Sequence, residues 1–354
     1  MRKKAKTTVQ TFENTNWINL RNDKMIYDKQ TAIQRNALTK SLRFFFEKEK
    51  FLEVETPIMV KIPGMEPHLN IFETDLIIRS KKIKLFLNHS PELQMKKLLG
   101  ANFGNIFTIT KTFRNGEIGG NLHNPEFTML EWYRINADYK DLMKDCEKLV
   151  KKLAGKNEII YQNKKISLKT PWEKFSCEEL FQKYCKISLD QNRTFKQLKK
   201  IAEEKNFDTN FCKDWDDIFF KIFLNHIEPH LGKETPTFVY DYPSTQAALA
   251  KKSSKNPFFA ERFELYIGGI EIANAYSELT DAKEQKTRLI EEQKLRKKLK
   301  KTIFDIDGEF LASLESIQQS CAGIALGVDR LFMILMDKKN IEETLLFPLN
   351  KILN

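Results

Sequence analysis

The stretch Phe263-Glu-Leu-Tyr-Ile-Gly268-Gly269-Ile-Glu-Ile-Ala-Asn274 decides the fold. Two runs rich in β-branched and aromatic residues flank a Gly-Gly pair, and a two-residue loop of that kind suits a tight primed turn. The reading is an antiparallel hairpin. If Gly268 and Gly269 close it, Glu264 pairs with Ala273 and Tyr266 with Glu271. Glu264 and Glu271 then become diagonal neighbours on one sheet face, about 7–8 Å apart, where two carboxylates can share hard cations. An ordinary solvated strand face is the plainer reading of the same pair. Two acidic groups this close repel one another unless a cation or ammonium lies between them.

Working outward, strands are expected at Asn105 to Arg114 and Glu126 to Ile135, joined by the Gly- and Asn-rich loop Asn115-Gly-Glu-Ile-Gly-Gly-Asn-Leu-His-Asn124. Alternation puts Phe127, Met129, Glu131 and Tyr133 on one face, an aromatic platform beside a carboxylate and a phenol. Such a surface suits a flat or cationic ligand, although Phe127 and Met129 would equally serve as core. Arg114 ends the preceding strand, where a fixed guanidinium can grip a phosphate through two parallel hydrogen bonds. Cys321 to Met336 reads as strand, Gly turn and helix, which sets Arg330 in the first helical turn after Gly327, beside backbone N–H groups that favour anions. Two arginines and two acidic ligands together point to a nucleoside triphosphate site.

The remaining segments complete an α+β chain. Ile33, Leu38, Leu42 and Phe45 recur at helical spacing from Thr31 to Lys48, and Phe51 to Met59 is a β-rich run stopped by Pro57. Residues 137–235 read as a mostly helical insertion, broken by a strand-like piece near Glu158 to Leu168. Asp281 to Lys301 is a highly charged helix, either a solvated face or a docking face for an acidic partner. The organisation is therefore an N-terminal extension over 1–30 and one catalytic domain over 31–354.

Composition narrows the class. The 354 residues hold 59 Lys+Arg against 48 Asp+Glu, a net charge of +11 that favours an acidic partner, nucleic acid or protein, unless it only reflects a Lys-rich proteome. The cysteines, Cys146, Cys177, Cys185, Cys212 and Cys321, form no CxxC pair, which fits free thiols in a reducing cytoplasm. No apolar run follows the basic start and none approaches the roughly 20 residues a spanning helix needs, so a soluble cytoplasmic protein with no membrane partner is expected.

Several blocks, in order, carry a more specific resemblance. They are Ser90-Pro-Glu-Leu-Gln-Met-Lys-Lys-Leu-Leu99, Phe113-Arg-Asn115, His123-Asn-Pro-Glu-Phe-Thr-Met-Leu-Glu-Trp-Tyr133, Tyr242-Pro-Ser-Thr-Gln-Ala247, Glu271-Ile-Ala-Asn274, Ser277-Glu-Leu279 and Gly323-Ile-Ala-Leu-Gly-Val-Asp-Arg330. From about Thr31 onward the sequence resembles class II aminoacyl-tRNA synthetases of the lysine type, and most closely their paralogues that lysylate elongation factor P. The resemblance implies a six- or seven-stranded antiparallel sheet flanked by helices, a homodimer formed around Leu42 to Pro57, and the use of ATP and Mg²⁺. It implies activation of lysine or (R)-β-lysine as an adenylate and transfer to a lysine of elongation factor P.

The same resemblance implies the site. Arg114 would hold the α-phosphate and substrate carboxylate, Arg330 the γ-phosphate, and Phe127 would stack on adenine. His123, Asn124, Asn115, Gly116, Ile272 and Gly327 would border the nucleotide. Glu264 and Glu271 would carry Mg²⁺. Ser90, Pro91 and Glu92 would form the amino-acid loop, with Glu92 and Glu278 on the two amino groups, helped by Glu131 and Tyr133. Asn274 would steady the carboxylate and Tyr276 the aliphatic chain. Ala325 stands where the synthetases have glycine and the protein ligases alanine.

Two departures stand out. Arg114-Asn115-Gly116-Glu117 replaces Arg-x-Glu, so Glu117 is the expected adenine contact after a one-residue loop shift. Alternation from Glu271 puts Asn274, Tyr276 and Glu278 on the opposite face, so a bulge is required near Ala273 to Ala275. A synthetase proper carries an anticodon-binding barrel before its first motif, for which the residues ahead of Thr31 leave no room, so tRNA is not the expected acceptor. A lysyl-tRNA synthetase-like catalytic domain or a non-catalytic regulatory paralogue are the competing readings.

Overall fold

Gly268 and Gly269 both adopt positive φ, 64° and 81°, and close the expected two-residue hairpin. The computed structural model describes residues 28–118 and 120–353, so all but the last three residues of the extension expected over 1–30 lie outside the described residues. The hairpin belongs to a sheet of eight strands. In chain order these are β1 (Leu52–Glu53), β2 (Ile106–Phe113), β3 (Glu126–Ile135), β4 (Glu173–Ser176), β5 (Thr237–Pro243), β6 (Phe259–Ile267), β7 (Ile270–Ser277) and β8 (Cys321–Gly327). Their spatial order is β1-β2-β3-β8-β7-β6-β5-β4.

The six central strands are antiparallel, as expected. The two edge strands run parallel to their neighbours and bring the total to eight rather than six or seven. At two and four residues these edges are too short to carry a legible alternation. The expected run Phe51 to Met59 likewise contracts to β1 and to Met59–Val60, which joins Glu73–Ile78 and Lys81–Leu87 in a separate three-stranded sheet.

Helices α1 (Lys29–Lys48), α2 (Glu92–Gly100), α3 (Tyr139–Ala154), α4 (Ala282–Lys298), α5 (Gly308–Ser316) and α6 (Val328–Leu335) frame the sheet. One sheet face is apolar. Phe107, Leu130, Trp132, Phe263, Leu265, Ala273, Ala275, Ile324 and Leu326 pack there with Leu38, Leu42 and Phe46 of α1, Leu142, Leu149 and Val150 of α3, and Leu331 of α6. Ile33, expected on the buried stripe of α1, is 46% exposed. Asp138 starts α3 with a capping box completed by Asp141, and Gly155 ends it in the left-handed region. Because side chains alternate along each strand, the polar residues between these apolar ones all reach the other face, where the site lies.

The segment over 137–235 is rich in helix, with the hairpin Glu158–Tyr161 and Lys164–Ser167 near its start. It builds its own core around Phe181, Trp215, Phe219 and Phe223, packed on Val239, Tyr242 and Tyr266 of the sheet. The charged helix α4 is not wholly solvated. Arg288 Nη1 donates to Ala247 O and Ala250 O, both at 2.8 Å, and Arg296 Nη1 to Glu66 O at 2.8 Å, so arginines tie α4 to the loops above the sheet.

Candidate active site

A cavity of about 850 Å³ lies over the polar sheet face. Of the residues expected at a site, Ser90, Glu92, Arg114, Glu117, His123, Asn124, Phe127, Glu131, Tyr133, Glu271, Ile272, Asn274, Tyr276, Ala325, Gly327 and Arg330 line it. Five do not. Pro91 is buried as the N-cap of α2, Asn115 and Gly116 are exposed, Asn115 forming an isolated backbone bridge with Asn70, and Glu264 and Glu278 lie behind the wall. Glu117 therefore reaches the cavity where Asn115 and Gly116 do not.

The required bulge is present, one residue before the expected place. Tyr266 pairs with Glu271 but Leu265 with Ala273, leaving Ile272 as the extra residue, so Glu264 stands opposite Asn274 rather than Ala273. From there Asn274 and Tyr276 share the cavity face with Glu271. The register across the sheet is then Glu131, Ala325, Asn274, Glu264 in one row and Tyr133, Gly323, Tyr276, Arg262 in the next.

One end of the cavity is acidic. Ser90 Oγ donates to Glu131 Oε2 at 3.0 Å, Tyr133 Oη to Glu131 Oε1 at 2.7 Å, and the Tyr276 hydroxyl to Glu92. Glu92 and Glu278 do not stand empty for two amino groups, as expected: Lys96, fully buried one turn along α2, reaches both at 2.6 Å. Burial opposes the charge on Lys96, but Glu278 and Glu92 overcome it and hold the ammonium firmly protonated. Three carboxylates and one ammonium leave two negative charges uncompensated. Accordingly burial, followed by the charge of Glu92, pushes the Glu131 carboxyl up to about 8, and burial does the same to Glu278 against the pull of Lys96. Gly323 forms the floor, since a Cβ there would collide with Glu278 Oε1 and the Tyr133 ring.

The other end is cationic. The Arg114 guanidinium lies 5.2 Å from the centre of the Phe127 ring, its nearest carboxylate is Glu117 at 3.7 Å, and its buried Nε has no hydrogen-bond partner among the described residues. A buried donor of that kind is what an anion satisfies. Arg330 Nη1 donates to Glu271 O at 2.9 Å, and its Nη2 contacts His123 Nε2 at 2.9 Å. Burial and then the Arg330 charge lower the proton affinity of His123, which stays neutral and accepts that hydrogen bond. Asp329 holds the arginine's helix in place through an ion pair with Arg35 and the Thr128 N–H at 2.6 Å.

Between the two ends lie the expected cation ligands. Burial and then the Glu264 charge raise the Glu271 carboxyl, which reaches Arg330 at 3.4 Å. Glu264 is already engaged: Arg262 donates to Oε1 at 2.5 Å, and Tyr242 and Tyr266 to Oε2 at 2.6 Å each. No cluster of three or more His, Cys, Asp or Glu that could hold a metal occurs among the described residues. The donor set instead fits a hard cation that keeps water and phosphate ligands and takes one or two carboxylates, Glu271 first.

Lys96, Gly323, Arg262 and the pair Glu66–His89 escaped the sequence reading. A Glu92–Lys96 spacing of four on one helix was the available signal for the first. A strand glycine marking close approach was the signal for Gly323.

The chain is similar to known proteins along almost its whole length. A family model described as "tRNA synthetases class II (D, K and N)" covers residues 9–351. A protein named elongation factor P–(R)-beta-lysine ligase from Buchnera aphidicola subsp. Acyrthosiphon pisum (strain Tuc7) is 37% identical over 327 residues, spanning 91% of this chain and 96% of that one. Proteins of the same name from Avibacterium paragallinarum and Haemophilus influenzae (strain PittGG) are 38% and 37% identical, over 90% and 91% of this chain and 95% and 96% of theirs.

Proposed function

Since this chain belongs to the class II tRNA synthetase family (D, K and N), we propose that it is an ATP-dependent amino acid–protein ligase that activates (R)-β-lysine or lysine and transfers it to a lysine of elongation factor P. The observation that carries the reading is the acidic end, where three buried carboxylates share the single ammonium of Lys96, so that Glu131 and Glu278 ionise fully only when a substrate with two ammonium groups pairs with them. The relatives' shared name supports the acceptor.

The substrate carboxylate would sit between Asn274 and Arg114 and attack the ATP α-phosphate, expelling pyrophosphate. The acyl-adenylate would then pass its acyl group to an amine, releasing AMP. Arg114 meets the charge that develops on the α-phosphate, and Arg330 grips the far end of the triphosphate. When bound, Mg²⁺ would neutralise phosphate charge beside Glu271, with Glu264 as the further ligand. The walls hold the reactants in line, and no protein nucleophile is required.

A cytoplasmic homodimer completes the proposal. Phe44 and Leu52 are 46% and 52% exposed in the segment expected at the dimer interface. No helix among the described residues is long and apolar enough to cross a membrane. The test is ATP–pyrophosphate exchange across a panel of lysine isomers. Exchange that depends on a diamino acid supports the reading; exchange that ignores the second amino group would overturn it.

A further inference from the structure

His89 immediately precedes the amino-acid loop and is 1% exposed, yet it lines the cavity. Its Nε2 lies 2.6 Å from Glu66 Oε2. Burial works against the Glu66 charge, but its contact with His89 and, in smaller share, Arg114 hold its carboxyl down at about 2. Glu66 is thus ionised and accepts only, so His89 Nε2 carries the proton. In the neutral ring the lone pair is then on Nδ1.

That nitrogen is buried and has no hydrogen-bond partner among the described residues. Buried polar atoms are almost always paired, and an orphaned acceptor in a reaction cavity calls for a donor that arrives with the ligand. The other edge of the ring is closed: a Cβ on Gly64 would stand 2.8 Å from both Cε1 and Nε2, so the loop after Gly64 packs on that side. Phe113 N–H donates to Asn88 O at 3.0 Å, and His89 lines the same cavity as Arg114, beside which the activated carboxyl would form. Glu292 of α4 lines the same cavity, its carboxyl pushed up to about 8 by burial and then by Glu66 and Glu92, so it ionises fully only when an ammonium group stands beside it.

We propose that His89, oriented by Glu66, is the base that accepts the proton of the attacking amine in the transfer step. The inference rests on the ligase reading above. A lysine side chain arrives as an ammonium ion and must lose a proton before its nitrogen can attack. The nitrogen lone pair then forms the C–N bond to the acyl carbon, the bond from that carbon to the phosphate oxygen breaks, and AMP leaves with the electron pair. His89 Nδ1 takes the proton lost from the ammonium before the attack, the second proton, shed by the nitrogen once the C–N bond has formed, passes to water, and no oxidant or further reactant is involved.

The experiment compares two nucleophiles on the same adenylate. Hydroxylamine is neutral near pH 7 and needs no base, whereas the lysine of elongation factor P, or n-butylamine in its place, is protonated. In His89→Gln, single-turnover transfer to the amine should fall by roughly a hundredfold relative to pyrophosphate exchange, while hydroxamate formation keeps pace with exchange. Glu66→Gln, at a less buried position, should lower amine transfer alone by a smaller factor, and it carries the test if His89→Gln does not fold. Equal losses with both nucleophiles, or no loss with either, would overturn the base while leaving the ligase reading intact. Absence of exchange in the unaltered protein would overturn both.

Discussion

Ala325 and Asn274 stand opposite one another in register on adjacent strands, and Glu131 stands opposite Ala325 on its other side. A single methyl group therefore lies on the cavity face between the residue expected at the substrate carboxylate and the one expected near an amino group. One methyl in a pocket typically contributes about 1–3 kcal/mol of discrimination. Ala325→Gly should raise kcat/KM for α-lysine relative to β-lysine by roughly tenfold to two-hundredfold, with ATP binding retained because Arg114 and Arg330 are untouched. An unchanged ratio in an active variant would make Ala325 a structural substitution.

Gly323, two residues back on the same strand face, predicts a sharper loss. A methyl there meets Glu278 Oε1 and the Tyr133 ring, both fixed in a packed wall. Gly323→Ala should cut lysine-dependent exchange by on the order of a hundredfold or more, since overpacking a rigid site commonly costs about 1–3 kcal/mol and here displaces the charge pair as well. ATP binding, followed by fluorescence of a nucleotide analogue, should change little. Wild-type exchange in the variant would show that the floor can yield.

Much of this site was legible because its strands are long. The hairpin at Gly268–Gly269 announced its turn and the Tyr266–Glu271 pair beside it, though not the Glu264 pairing beyond the bulge, and the ten residues of β3 alternate cleanly enough to place Phe127, Met129, Glu131 and Tyr133 on one face. The bulge was deducible as a need but not at its position, because Glu271, Ile272 and Ala273 carry no local signal that favours Ile272 as the extra residue. Lys96 was hidden by a different cause. On α2 it reads as an ordinary surface lysine, and only tertiary packing turns it inward between Glu92 and Glu278. Residues over 52–60 misled for want of length, their two-residue strands being set by neighbours rather than by their own pattern.

The uncompensated carboxylates predict a proton balance. Glu131 and Glu278, both pushed up to about 8, hold protons at pH 7 in the free protein. A diammonium ligand pairs with the ionised forms, so binding at pH 7 should release protons, and affinity should rise from pH 6 toward 8. Calorimetry in buffers of different ionisation enthalpy measures the release. The folded-state values lie above the ordinary 4.5, so these two groups take up more protons folded than unfolded between 4.5 and 8. Stability of the unliganded protein should accordingly fall as pH rises through that window, and less so in Glu131→Gln. Proton uptake on binding would contradict the charge assignment.

Mg²⁺ dependence should separate the two hairpin glutamates. Glu271→Gln removes the carboxylate on the cavity wall and should weaken the Mg²⁺ requirement curve for exchange by tenfold or so, about one hard ligand's worth. Glu264→Gln should act less directly, because Arg262, Tyr242 and Tyr266 already occupy that group. Superimposable Mg²⁺ titrations in wild type and both variants would return the pair to a purely structural role.

The most direct measurement of the central claim is transfer of radiolabelled β-lysine or lysine, with ATP, to elongation factor P and, in parallel, to lysine tRNA. The account predicts label on the protein acceptor, dependent on ATP and abolished by Arg114→Ala, with tRNA left unlabelled. Robust labelling of tRNA with none on elongation factor P would contradict it.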